Sequence, residues 1–249
     1  MPLLAADFPT YSEGGRVLTI RLRNDIRFQD DPAFHESKGK GRTVTAHDFI
    51  YSMKRLAWPS LGSSGPWLWH GRIVGFNHFR NRLRDASPQE RRRIFSGPVL
   101  GLQALDHFTL RIELNQSYPQ ILDLLSMGMT SVISHDVIDA YGGEDLRLLK
   151  QAVGTGPFRL AAWEPGRRVI LERNTGYRPE FFPTQNPEKL SPDSGKPLPM
   201  ADRLVFSMIS EVDQIERRFE AGEIDLVSLP QASPSSPLSS SLEPVVYYI

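Results

Sequence analysis

Residues 17–23 alternate strictly: Val17, Thr19, Arg21 and Arg23 share one face, and Leu18, Ile20 and Leu22 share the other. A period of two with one polar face predicts a strand lying on a core. The pattern returns at Phe108, Leu110, Ile112 and Leu114, interleaved with Thr109, Arg111 and Glu113. Together with residues 100–105, across the turn Asp106-His107, it predicts a β-hairpin. A second hairpin is expected from residues 158–164 and 167–173 around Pro165-Gly166, followed by strands at 203–209 and 224–229.

Between these stretches the period changes. Thr45, with Asp48 three residues on, has the spacing of a helix N-terminus, and Val44 and Phe49 are placed for a hydrophobic staple. Phe49, Met53 and Leu56 then share a helical face, predicting a helix over residues 46–57 that Trp58-Pro59 ends. One or two helices are expected in residues 72–93, the second beginning near Pro88. Pro119 opens a short helix, and Ser134 to Tyr141 makes another, closed by Gly142-Gly143. Ser210 is expected to cap a last helix, with Ile215 and Phe219 on its apolar face and Gly222 at its end.

Residues 29–43 and 60–71 read as loops, and residues 183–199, with five prolines and no period, as a loop insertion. Residues 230–244 form a flexible Ser/Pro segment. The closing VVYYI reads as a strand cut in mid-run, so the chain is expected to be incomplete there. Hairpins interspersed with helices, without regular βαβ repeats, indicate a mixed α+β chain of the α/β class.

Composition narrows the chemistry. The chain has 249 residues, 40% of them hydrophobic, enough for a sizeable core. Basic and acidic residues balance at 29 each, which gives no global attraction to nucleic acid or a membrane surface. There is no cysteine, so disulfides, thiolate metal sites and thiol nucleophiles are excluded within these residues. The first residues, MPLLAADFPTYSEGG, lack the basic leader and long apolar run of a signal peptide. No stretch approaches the ~20 apolar residues of a membrane helix, so direct membrane insertion is not expected.

Specific motifs give little chemistry. Gly154, Thr155, Gly156 and Pro157 precede a strand rather than a helix, so no helix dipole meets a phosphate there. They serve instead as the sharp entry to a hairpin. The six histidines are scattered, which argues against a metal site. GSSGP at 62–66 lacks the strand–turn–helix setting of a nucleophilic serine. Asp30-Asp31 is an acid pair without an identifiable catalytic partner. Seven arginines in residues 72–93, with Phe76 and Phe79 between them, could face nucleic acid, but a solvated helix face is the simpler reading. Trp67 and Trp69 stand in a Gly/Ser loop, where they either enter a core or line a groove.

Five segments in order resemble the extracellular solute-binding proteins of family 5, the oligopeptide- and dipeptide-binding components of ABC transporters. They are LLAADFPTYSEGGRVLTIRLRNDIRFQD, RTVTAHDFIYSMKRLAWP, VLGLQALDHFTLRIEL, VGTGPFRLAAWEPGRRVILERNTGYR and ADRLVFSMISEVDQIERRFEAGEIDL. The chain departs at Tyr177-Arg178, where an aromatic pair is usual. It is identified as the N-terminal half, or a truncated form, of such a protein.

The resemblance implies a type II periplasmic-binding-protein lobe plus the accessory domain of the peptide binders, with the second lobe missing. Residues 1–25 and 151–249 would belong to the larger hinge-side lobe and residues 26–150 to the accessory domain. It further implies a periplasmic, non-enzymatic protein without cofactor. Such a protein captures peptides, or a related small solute, by lobe closure and delivers them to membrane permease subunits. Trp67, Trp69, Tyr247 and Tyr248 are the candidate ligand contacts. The alternatives are a non-transport interaction or regulatory module reusing the fold, and a hydrolase built on Asp30 or Asp31.

Overall fold

The computed structural model describes residues 3–59, 65–142, 151–183 and 191–227. The chain divides into two compact units, one of residues 1–163 and 169–205, the other of residues 164–168 and 206 onward.

The first unit is built on a four-stranded antiparallel sheet in the order β1-β2-β4-β3, with β1 Thr10–Ser12, β2 Val17–Arg21, β3 Leu102–Asp106 and β4 Thr109–Glu113. Its register sets Leu18 opposite Ile112 and Ile20 opposite Leu110, so the apolar alternation of both strands falls on one face. That face is the core. Leu18, Ile112 and Leu114 are wholly buried there with Trp69, Phe76 and Leu83. The opposite face carries Arg111, bonded to Glu113 at 2.9 Å, and is half-buried rather than open, with Val17 wholly covered on it.

Five helices follow: α1 Ala46–Arg55, α2 Phe76–Asp85, α3 Pro88–Ser96, α4 Ile121–Leu125 and α5 His135–Tyr141. The start of α1 is the one expected. Thr45 N–H donates to Asp48 Oδ2 at 2.8 Å, and Val44 and Phe49 meet in a small second core with Ile26, Phe28 and Val137. The arginine-rich stretch resolves into two helices, with Pro88 in the first turn of α3 after the Ser87 cap. Ser134 caps α5, accepting from the Asp136 N–H at 3.1 Å.

A close approach joins the loop at residue 41 to the strand-like stretch before it. A Cβ on Gly41 would stand 1.8 Å from the Phe28 carbonyl oxygen, so only glycine fits. Around it Phe28 N–H bonds Arg42 O at 3.0 Å and Val44 N–H bonds Ile26 O at 2.9 Å.

A second sheet has the order β5-β6-β7, with β5 Phe158–Glu164, β6 Arg168–Arg173 and β7 Arg203–Ser207. The turn between β5 and β6 uses Gly166 at φ 72°, as its Pro-Gly sequence requires. In the second unit, α6 spans Val212–Glu220 and no described residue of it is buried. Two expectations fail here. The extended residue before α6 is Glu211, at φ −96° and ψ 115°, so Ser210 lies one position short of the cap. Residues 224–227 form no strand, because no strand among the described residues pairs with them to make a ladder. Residues 228–229 and the segment 230–244 lie outside the described residues.

Candidate functional site

The densest long-range polar contacts surround the Gly154–Pro157 corner, all within the first unit. The chain leaving β2 runs past it, and Gln29 N–H donates to Gly154 O at 2.9 Å. The Gln29 side-chain amide reaches Phe158 O at 2.7 Å and Gly156 O at 3.4 Å. From just beyond β6, Asn174 donates through Nδ2 to Gly156 O at 3.0 Å and through its backbone N–H to Pro157 O at 2.8 Å. Arg178 Nη1 donates to Thr155 O at 3.3 Å. Five successive carbonyls, from residue 154 to residue 158, are therefore held by one glutamine, one asparagine and one arginine.

This arrangement is a clamp on the backbone. A phosphate cradle presents converging N–H donors at a helix start, whereas this corner presents carbonyl acceptors and continues into β5. Its flank is charged. Arg178, almost wholly buried, pairs with Glu180 at 2.6 Å, and Glu180 also accepts from Tyr177 O–H at 2.7 Å. Burial, reinforced by the Glu180 carboxylate, pushes the Tyr177 phenol up to about 12.

Directly after Gln29 the chain opens a concavity of about 470 Å³ lined by Asp30, Asp31, Pro32, His35, Lys38 and Gly39. Its two carboxylates turn to different partners. Asp30 accepts from Lys40 Nζ at 2.7 Å and from Gly41 N–H at 2.9 Å, and the Lys40 bond holds its carboxyl below the ordinary range. Asp31 accepts from Ala33 N–H and from Tyr141 O–H, each at 2.8 Å. A pair of carboxylates that work together as acid and base needs one of them protonated and both aimed at one point. These are instead loop-forming acceptors.

Just past this loop the chain enters a charge knot at Arg42. Arg42 makes a fork onto Asp48, Nη2 to Oδ1 at 2.6 Å and Nη1 to Oδ2 at 2.8 Å, while its Nε reaches Asp136 Oδ2 at 2.7 Å. One guanidinium thus ties the N-termini of α1 and α5 to the loop at residue 42. Burial opposes the charge on Asp136, but bonds from Ser134 and Arg42 outweigh it and hold the carboxyl low.

The nominated aromatic contacts separate. Trp67 is 46% exposed, whereas Trp69 is 0% exposed within the core. Its indole N–H is the buried side-chain polar atom without a hydrogen-bond partner among the described residues. Tyr247 and Tyr248 lie outside the described residues. Among the described residues no group of three His, Asp or Glu side chains is placed to hold a metal ion.

Comparison with known proteins decides what kind of molecule carries this clamp. The family model for bacterial extracellular solute-binding proteins, family 5, matches residues 1–247. The chain belongs to this family. The periplasmic oligopeptide-binding protein OppA of Salmonella typhimurium is 26% identical over 212 residues, covering 85% of this chain and 32% of that protein. The glutathione-binding protein GsiB of Escherichia coli is 24% identical over 172 residues, or 69% of this chain and 26% of that one. The chain thus spans about a third of the length of the curated relatives it matches.

Among solved structures, the periplasmic binding protein DppA of Helicobacter pylori in complex with a peptide superposes with a TM-score of 0.61 at 23% identity, covering 90% of this chain and 36% of that one. An oligopeptide-binding protein of Borrelia burgdorferi gives 0.62 at 23%, covering 89% and 37%. These establish the fold, a type II periplasmic-binding-protein architecture of which this chain supplies part.

In this family-5 chain the sequence reading found the corner but not the side chains that hold it. Asn174 and Tyr177 stand in the segment that carries the resemblance, so that signal was present. Gln29 carried a weaker one, an amide beside two acids in a loop otherwise read as plain.

Proposed function

We propose that this chain contributes to the solute-capturing component of an ABC importer, with peptides as the solute class, acting in the periplasm. The observation that carries the reading is the family match across residues 1–247, supported by relatives named for binding oligopeptides and glutathione. The clamp at residues 154–158 fits a binding role, because it fixes backbone without exposing a nucleophile or an acid–base pair.

Peptide capture of this kind depends on main-chain hydrogen bonds to an added strand and on roomy side-chain pockets. Each such bond contributes only about 0.5–1.5 kcal/mol net, so several must form together. In this reading the whole protein closes its lobes over the peptide and passes it to permease subunits. Residues 26–150 act as the accessory domain, and residues 1–25 with 151–249 belong to the hinge-side lobe. Trp67, exposed on the first unit, is the contact we assign to the ligand side, with Tyr247 and Tyr248 as further contacts. Trp69 supports the loop from beneath.

Calorimetric titration with mixed tri- to pentapeptides and with glutathione tests this. Saturable heat that is reduced in Trp67→Ala is expected. Absence of saturable heat with every peptide overturns capture by this chain.

A further inference from the structure

Several guanidinium groups of this chain are matched to an acid within it. Arg16, Arg23, Arg42, Arg111, Arg173 and Arg178 each meet a carboxylate. Arg72 is fixed in place without one among the described residues. Its backbone is bonded on both sides: the Arg72 N–H donates to Trp69 O at 3.0 Å, and Arg72 O accepts from the Asn115 N–H at 2.7 Å. Ile73 bridges to Leu114, just past β4. Gly71 donates to Asn77 Oδ1 at 2.9 Å, and its carbonyl accepts from Asn115 Nδ2 at 3.0 Å.

The side chain is held as well. Nη1 donates to Trp67 O at 2.7 Å and to Leu68 O at 3.3 Å, and the guanidinium lies over the Tyr118 ring, 4.9 Å from its centroid. Both carbonyls take the same nitrogen. Nε and Nη2, the two donors that form a side-on fork for a carboxylate, have no partner among the described residues. Arg91 makes the contrast, because it spends Nε on Leu83 O at 3.0 Å and so uses that edge. Neutral carbonyls and a ring face orient the Arg72 charge without neutralising it, and the residue stays partly exposed.

We infer that the Nε–Nη2 edge of Arg72 receives a carboxylate of the captured peptide. The inference rests on the peptide-capture reading above and narrows its solute class to peptides that carry a carboxylate beside an apolar side chain. A guanidinium whose plane and backbone are already fixed loses little further freedom when it pairs, so a bidentate carboxylate gains most at such a site. The Trp67 carbonyl is one anchor of the group, and Trp67 itself is 46% exposed, which puts an indole on the same short loop to cover the neighbouring apolar side chain. With 29 basic and 29 acidic residues the chain has no net charge to draw acids from a distance, so the preference is set locally.

Calorimetric titration of the full chain with three peptides tests it: Ala-Ala-Phe as the free acid, the same peptide as its C-terminal amide, and Glu-Ala-Phe as the amide. The free acid is expected to bind about 10- to 100-fold more tightly than the Ala-Ala-Phe amide, the range of a charge-assisted fork. Recovery of that factor by the Glu-Ala-Phe amide identifies a side-chain carboxylate as sufficient; no recovery identifies the terminal one. In Arg72→Gln the acid should fall to the affinity of the amide, while the amide itself changes less than about threefold. Damage to the loop would instead weaken both forms alike. Arg72→Lys, which keeps the charge but not the planar fork, should retain only part of the preference. Arg91→Gln, at the other carbonyl-held arginine, should leave it intact. Equal binding of acid and amide by the parent chain, or an acid preference that survives in Arg72→Gln, overturns the inference while peptide capture stands. If none of the three binds, capture itself fails and the inference falls with it.

Discussion

Leu18 and Ile112 face each other across β2 and β4 at 0% exposure, whereas Val205 and Phe206 in β7 remain 52% and 49% exposed. Both sheets are written in the same period-two pattern. The first meets helices α1 to α5 and buries its apolar face. In the second, Ile170 is the buried position among the described residues of β5, β6 and β7. Alternation specifies which side chains share a face; it does not specify what covers that face. Among the described residues nothing covers the apolar positions of the second sheet as the helices cover those of the first.

Truncating the covered region should have the largest effect. Trp69→Ala is expected to lower stability by about 3–5 kcal/mol in urea unfolding, since it empties a fully buried site. A loss below about 1 kcal/mol would show that the first core is as loose as the second sheet.

Next in size is Arg42→Ala, expected to cost about 3 kcal/mol because it strands the buried Asp48 carboxylate. The same knot has a pH signature. The Asp136 pKa is depressed in the fold, so its contribution is complete above the ordinary value of 3.8 and is lost as pH falls through the lowered one. Acid unfolding of the parent should therefore steepen below pH 3.8, and Arg42→Ala should flatten that limb. An unchanged acid limb would detach the knot from stability.

A smaller effect is expected at the corner. Gln29→Ala removes the amide that holds Phe158 O and should cost about 1–2 kcal/mol, read as faster hydrogen exchange confined to residues around 154–158. Uniform exchange across the chain would show that the clamp is not local.

The smallest change in stability is predicted on the bare sheet. Phe206→Ser should shift stability by less than about 0.5 kcal/mol while reducing binding of a hydrophobic dye. A loss comparable to that of Trp69→Ala would mean that the second sheet is covered after all.

What the sequence made legible was short-range. The Thr45–Asp48 start of α1, the Val44–Phe49 contact, the short helix read from Ser134 to Tyr141 and the hairpin of β3 with β4 all depend on residues within a few positions of one another. The corner at Gly154–Pro157 was legible as a turn for the same reason. Its clamp was not, because Gln29 lies 129 positions from Phe158, and no local period encodes such a pairing. Arg42 and Asp136, 94 positions apart, were hidden likewise. Ser210 shows the reverse error, a good capping residue displaced by one position because Glu211 takes the extended conformation.

Gly41 carries a consequence for inheritance. With 1.8 Å between a would-be Cβ and the Phe28 carbonyl, every missense change at that codon forces two backbones apart. The next residue is Arg42, so the displacement reaches the anchors of α1 and α5 at once. Among descendants of this gene, codon 41 is therefore a position where drift is closed: lineages that keep the fold keep the glycine.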